Sequence, residues 1–331
     1  MHSFNWGVLG PGKIAHTFAK AMEKSTKGKI YAVASRSEQR AADFANVYQI
    51  DKVYADYQAM LDDPQVDIIY IATPHSFHYQ QAKMCLEAGK HVLVEKPCTV
   101  NAAQMQSLVA LAQSKKLLLQ EALWSRFMPC LTQLRALLEQ GIIGDIQYIQ
   151  SQIGFAFQGQ DKKRLVEADL AGGALLDLGI YSITISQFLL QEHPQSVQAM
   201  GQLTEQHVDA HVFANMLYPS GCYSQFSCSM LSQASNSMQI IGSKGHVILP
   251  AMFWDTDNAL IYQDNQLVRE IHIPHVVNGF EYQIETCMQS IQQNMLSSDV
   301  MTHQDSIGVL TVMDNIRSQI GVKYPAAIEL V

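Results

Sequence analysis

Three short stretches hold residues that could do chemistry. In the first, Glu95-Lys96-Pro97 closes an apolar run, and Pro97 forces Lys96 into an extended conformation. A lysine aimed from a strand end can hydrogen-bond a substrate hydroxyl and, with a lowered pKa, exchange its proton. Alone, it also fits an exposed charge after a strand. In the second, Gly172–Tyr181, Asp177 and Tyr181 stand four apart and so share one helix face. An acid on an otherwise apolar helix is costly to bury without a partner, and a lysine such as Lys96 would supply one. A nearby cation would also favour the Tyr181 phenolate. A solvated Asp177 and a core Tyr181 are the plain alternative. The third stretch, Ala72–His78, holds Thr73, Pro74, His75 and His78. The histidines suit ligand contact, loop packing or helix capping. No third ligand stands near them, so no metal site is expected.

A fourth stretch points to a phosphate. Gly10-Pro11-Gly12-Lys13-Ile14-Ala15 follows an apolar strand pattern and opens a helical one, matching G-x-G-x-x-A. The first glycine permits a tight turn, and the second lets backbone approach a pyrophosphate. The small last residue allows close helix–strand packing, and the helix N-terminus faces the phosphates. An ordinary strand-to-helix turn is the alternative. The next strand ends Val33-Ala34-Ser35-Arg36-Ser37, with Arg40 one helical turn on and no acid at the tip. Dinucleotide sites for NAD place an acid there, whereas a guanidinium holds a 2′-phosphate in a fork. Ser35, Arg36 and Arg40 therefore favour NADP(H) over NAD(H). Solvated arginines with Glu38 on the ribose would favour the reverse.

The elements that must position these residues follow from the apolar pattern. Up to Gln120, short runs at Trp6–Leu9, Ile30–Ala34, Ile68–Ile71, His91–Val94 and Leu117–Leu119 alternate with helical patterns. That is the signature of a doubly wound parallel α/β sheet, with ligands outside the carboxyl ends of its strands. Beyond it, long period-two strands predict a sheet with one buried and one polar face, crossed by a helix at Ala174–Leu190. The expected division is 1–122 and 123–331, with the boundary near 121–124. Trp124, Phe127 and Phe155 would offer a ring-shaped substrate apolar surface, but each equally suits a core.

The 331 residues carry 22 basic and 30 acidic side chains, a net charge of −8. No basic arm is present, which argues against nucleic acid and anionic membranes as partners. Positive potential for a polyanionic cofactor must then be local, at Lys13, Arg36, Arg40, Lys96 and Arg126. The six cysteines form no C-x-x-C pair and read as reduced, buried thiols. The chain shows no signal-peptide pattern and no run of about 18 apolar residues, so a cytoplasmic protein without a membrane span is expected.

Taken together, the glycine turn, Thr73-Pro74 with His78, Glu95-Lys96-Pro97 and Asp177…Tyr181 resemble the Gfo/Idh/MocA oxidoreductases. Val33–Ser37, Glu121–Phe127, Gly172–Tyr181 and Gly242–Gly245 are similar to one branch, the dimeric dihydrodiol dehydrogenases and NADP-dependent D-xylose 1-dehydrogenases. The resemblance implies an N-terminal Rossmann domain and a C-terminal α+β domain with a large, mostly antiparallel open sheet that makes a homodimer. It implies that Lys96 is the catalytic lysine, that Asp177 positions it or the substrate, and that Tyr181 is the general acid/base. Trp124 and Arg126 would flank the nicotinamide, and Glu95 would belong to the cofactor site with Lys96. The substrate implied is a small cyclic polyol, either a sugar or a trans-dihydrodiol. One departure stands out. Gln147–Gln152 and Gln202–Leu203 are neutral where arginines are expected in mammalian-type dihydrodiol dehydrogenases. The rival reading is a non-catalytic NADP-binding regulator of the same fold.

Overall fold

The computed structural model describes residues 3–331, and in it the apolar runs of the first half become one parallel sheet. Its strands are β1 (Phe4–Leu9), β2 (Gly28–Ala34), β3 (Lys52–Tyr54), β4 (Ile68–Ile71), β5 (His91–Glu95) and β6 (Leu119–Ala122). They lie in the order β3-β2-β1-β4-β5-β6, all parallel. Helices α1 (Lys13–Met22), α2 (Glu38–Tyr48), α3 (Tyr57–Leu61), α4 (His75–Glu87) and α5 (Ala102–Lys115) alternate with them. The order reverses between β1 and β4, the switch point where such sheets bind ligands. Local chemistry sets the helix starts: the Ser37 side chain accepts from the Arg40 amide, and Asn101 accepts from that of Gln104. Ala15, Phe18, Ala19 and Met22 give α1 its buried stripe. Within the core Phe18 stacks on Tyr70, with ring centroids 3.9 Å apart.

The later strands form a second sheet: β7 (Ile146–Gly154), β8 (Ser196–Leu203), β9 (Asp209–Leu217), β10 (Tyr223–Ser229), β11 (Met238–Gly242), β12 (His246–Leu249), β13 (Asn258–Gln263) and β14 (Gln266–His272). The order is β14-β13-β12-β11-β7-β10-β9-β8, antiparallel except for β7 beside β10. Alternation holds in β10, where Phe226 and Cys228 are buried while Tyr223 and Gln225 are exposed. The expected helix at Ala174–Leu190 is divided into a π-helical turn, Leu175–Gly179, and an α-helix after it. With α6 (Pro129–Glu139) and α7 (Gly159–Val166) before it, that helix is α8 (Ile180–Leu190).

By its contacts the chain divides into two compact units. One holds the residues up to Trp124 together with Val276–Ile307; the other holds Ser125–His275 with Gly308–Leu330. A division at one point is therefore too simple. Helix α9 (Phe280–Gln292) buries Phe280, Ile284, Cys287 and Met288 in the core of the first unit, beside Trp6 and Phe18. Helix α10 (His303–Ile320) begins in the first unit and continues in the second, followed by α11 (Ala326–Glu329).

One stretch among the described residues, Ala168–Leu190, is long and apolar enough to cross a membrane by composition, against the expectation of none; 89% of its apolar window is buried in the fold, as in a core helix. All six cysteines are free and buried. Burial pushes their thiols up, that of Cys222 to about 11.

Candidate active site

In the first unit the chemistry stands on loops that leave neighbouring strands. Gly10, after β1, adopts φ +82°, and a Cβ there would lie 2.7 Å from Thr73 Cγ2 in the loop after β4. Only glycine lets these two loops come so close. Gly12, at the start of α1, has no atom within 4 Å of a would-be Cβ, and no side chain caps that helix end. An open cradle at an uncapped N-terminus fits a pyrophosphate. Lys13 and Ile14 follow in the first turn, both exposed.

At the tip of β2, Ser35 is buried and accepts from the Ser37 amide (3.1 Å). Arg36 and Arg40 are exposed, and the Arg36 guanidinium lies 5.0 Å from the Phe77 ring centroid. Phe77 sits in the first turns of α4, so Arg36 is held over the loop after β4.

Thr73 donates to Gln81 Oε1 (2.6 Å), which pins the β4 loop to α4, and Pro74 begins that helix. His78 is fully buried, with Nδ1 2.8 Å from the Pro97 carbonyl and Nε2 2.7 Å from that of Thr73. Of the readings open to it, loop packing is the one its surroundings match: the ring ties the β4 loop to the β5 loop. His75 is also buried, its ring 5.8 Å from that of His78. Glu95 is buried and accepts from the Tyr70 hydroxyl (2.5 Å). Burial raises its carboxyl to about 7, against the pull of that hydrogen bond and the adjacent Lys96 charge. Lys96 follows, half-buried. Trp124 packs on Phe280 (4.9 Å between centroids), partly buried against this unit's core.

In the second unit the chemistry stands on the π turn and α8. Such turns are local insertions that recur at functional sites. Asp177 lies within the turn and is half-buried, its Oδ1 3.2 Å from Arg164 Nη2 of α7. The acid thus has a cationic partner in its own unit. Tyr181 is buried, its ring stacked at 25° on Trp254, 5.9 Å between centroids. Trp254 also meets Phe155 edge-on, at 5.8 Å. These three rings form an aromatic wall beside the helix. Phe127 is buried. Arg126 belongs to this unit and is buried, its guanidinium 4.9 Å from the Phe188 ring centroid.

Sequence reasoning missed Arg164, Trp254, Tyr70 and Gln81. None lies in a motif, and each is brought in by tertiary packing. Among the described residues no group of three His, Cys, Asp or Glu side chains could hold a metal ion.

The comparisons with known proteins agree with this geometry. Residues 4–123 match the model of the GFO/IDH/MocA oxidoreductase family with an NAD-binding Rossmann fold, and residues 131–248 match the family's C-terminal domain. The chain belongs to the Gfo/Idh/MocA oxidoreductase family, and it is a nicotinamide-dependent dehydrogenase of that type. It is 34% identical to trans-1,2-dihydrobenzene-1,2-diol dehydrogenase of Xenopus tropicalis, across 97% of this chain and 99% of that one. With the Homo sapiens enzyme of the same name the identity is 31%, covering 98% of each. Among solved structures, a 3-ketoreductase from Actinomadura kijaniata in complex with NADP and TDP-benzene superposes with a TM-score of 0.86. Its identity is 25%, across 96% of this chain and 98% of that one. An aldose-aldose oxidoreductase from Caulobacter crescentus shares the fold, with a TM-score of 0.87 at 23% identity over 96% and 97% of the two chains.

Proposed function

We propose that the protein is an NADP(H)-dependent dehydrogenase of a small cyclic polyol, a sugar or a trans-dihydrodiol. The observation that carries this reading is the edge of the parallel sheet. Strands β1, β4 and β5 are neighbours, and their carboxyl ends carry Gly10–Gly12, Thr73-Pro74 and Lys96 in turn. Relatives named for dihydrodiols and a neighbour solved with NADP support the substrate class and the cofactor.

When bound, the dinucleotide supplies the hydride acceptor or donor. The chain's own part is to orient the reactants and move a proton. Lys96 Nζ holds the reacting hydroxyl and stabilises its oxygen as the proton leaves. Tyr181 Oη exchanges that proton, and Asp177, set by Arg164, orients the substrate. Gly10, Gly12, Lys13 and Ile14 hold the pyrophosphate, while Ser35, Arg36 and Arg40 read the 2′-phosphate. Phe155 and Trp254 present a face to a ring. A panel of pentoses, hexoses and diols, followed at the reduced-nicotinamide absorbance band with NADP and with NAD, tests the reading. Turnover of a cyclic polyol with higher kcat/KM for NADP is expected. NADP binding without turnover of any member would favour the regulator instead.

The polar face of the second sheet supports a homodimer. By strand register Tyr148, Tyr223, Phe213 and Met200 lie across one face, 47%, 56%, 54% and 76% exposed. Isolated exposed apolar residues are ordinary, but two cross-strand pairs on one face, Tyr148 with Tyr223 and Phe213 with Met200, suit a self-complementary partner.

A further inference from the structure

We propose that Asp209 is a positioning residue for the reaction: from the floor of the second unit it holds the start of the π turn that carries Asp177 and sets Tyr181. The proposal rests on the site reading above.

Strand alternation does not foretell this role. In β9, Val212, Ala214 and Met216 face inward, so an odd-numbered acid should point outward. The register shows why it does not. Gln202 pairs with His211 but Leu203 pairs with Asp209, so β9 carries one extra residue, Ala210. A bulge of this kind re-aims a side chain, and bulges gather beside active sites. Asp209 is fully buried.

Its surroundings fit it to the turn. Oδ2 accepts from the Leu175 amide at 2.6 Å, and Leu175 opens the π turn. Gly173 has φ +117°, and a Cβ there would stand 2.2 Å from Asp209 Oδ1. The glycine is thus required twice, for its backbone angle and for the close approach of the carboxyl. One residue earlier, the Gly172 carbonyl accepts from the Tyr324 hydroxyl (2.5 Å). Tyr324 lies beneath Arg317, 4.9 Å from guanidinium to ring centroid, and Arg317 is paired with Asp314 and Glu329. The Gly172–Leu175 segment is therefore held by hydrogen bonds on both sides, from residues more than 30 positions away. Burial raises the Asp209 carboxyl to about 7, opposed by the Leu175 and Ala174 amides and the Arg317 charge. Keeping an acid in such a place is costly, and an apolar residue would serve a strand interior better. What the acid supplies is a fixed start for the helix.

The test uses the whole chain with NADP and the best substrate of the panel. Asp209→Asn keeps the side-chain volume. It is expected to lower kcat about 10- to 100-fold, as misplacement of reacting groups does, while NADP affinity stays unchanged. Tyr181→Phe and the double variant complete a cycle. If Asp209 acts through the helix, the double variant is no slower than Tyr181→Phe alone. Independent, multiplying losses would overturn the proposal, as would wild-type kcat in Asp209→Asn. Tyr181→Phe with full turnover would instead overturn the site reading and this proposal with it. Should Asp209→Asn not fold, Tyr324→Phe releases the same segment from its other side. A loss of kcat at unchanged NADP affinity supports the proposal, and wild-type kcat overturns it.

Discussion

The two units place chemistry in opposite ways. In the first, the candidate residues gather at strand ends and the helix starts that follow them, and local contacts fix them: Gly10 against Thr73, and Thr73 and Pro97 joined through His78. In the second, the candidate proton-handling residues Asp177 and Tyr181 lie on one helix, and the contacts that fix it come from far along the chain: Asp209, Tyr324 and Trp254. A parallel sheet generates a site by topology alone. A helix on an antiparallel sheet has no such edge and depends on particular buried partners.

Glycines give the sharpest way to break that contrast. Gly173→Ala places a side chain at φ +117° and 2.2 Å from Asp209 Oδ1. It should cost about 1–3 kcal/mol for the backbone alone, more for the overlap, and lower kcat. Gly12→Ala meets nothing within 4 Å. Its melting temperature should match the wild type while KM for NADP rises. Equal stability losses in the two variants, read by thermal unfolding, would erase the distinction.

A smaller effect concerns the cofactor. Arg36→Ala should lower kcat/KM for NADP about 10-fold or more and leave that for NAD nearly unchanged, the loss of one charge-assisted phosphate contact. Equal losses with both cofactors would make Arg36 a surface residue.

The buried acid of the first unit predicts a pH effect. Glu95 titrates near 7 in the fold, raised by burial, against about 4.3 unfolded. The folded protein thus takes up its proton more readily than the unfolded chain. Its stabilising contribution is full below about pH 4 and is lost as pH rises to 7. Between pH 5 and 8, wild type should lose stability relative to Glu95→Gln, with little further change above 8. A difference in melting temperature that does not vary with pH would contradict this.

The smallest effect on turnover is expected at the open sheet. On the homodimer proposal, Phe213→Glu with Met200→Glu should shift sedimentation from dimer to monomer. A wild-type dimer that is unaffected would move the interface elsewhere.

The sequence shows the two units to different degrees, for the same physical reason. The glycine turn, the Thr73–His78 loop and Glu95-Lys96-Pro97 are legible because backbone and side chain act within a few residues. Asp177 and Tyr181 are legible as an i, i+4 pair, although the π turn between them is not. Arg164, Trp254 and Asp209 carry no local signal, and for Asp209 alternation points the wrong way until the bulge is seen. The apolar stripe of α9 is plain in the chain, but nothing local says that it packs under the first sheet. Edge strands β3 and β14 are hidden as well: one is only three residues long, and the other is exposed along most of its length.

Lys96→Met offers the most direct test of the central claim, that this sheet edge is a working dehydrogenase site. In the variant, kcat on the best polyol should fall by about 10²–10⁴-fold, the share that a positioned proton-handling group supplies, with NADP still bound at near wild-type affinity. Wild-type turnover in Lys96→Met would contradict the account.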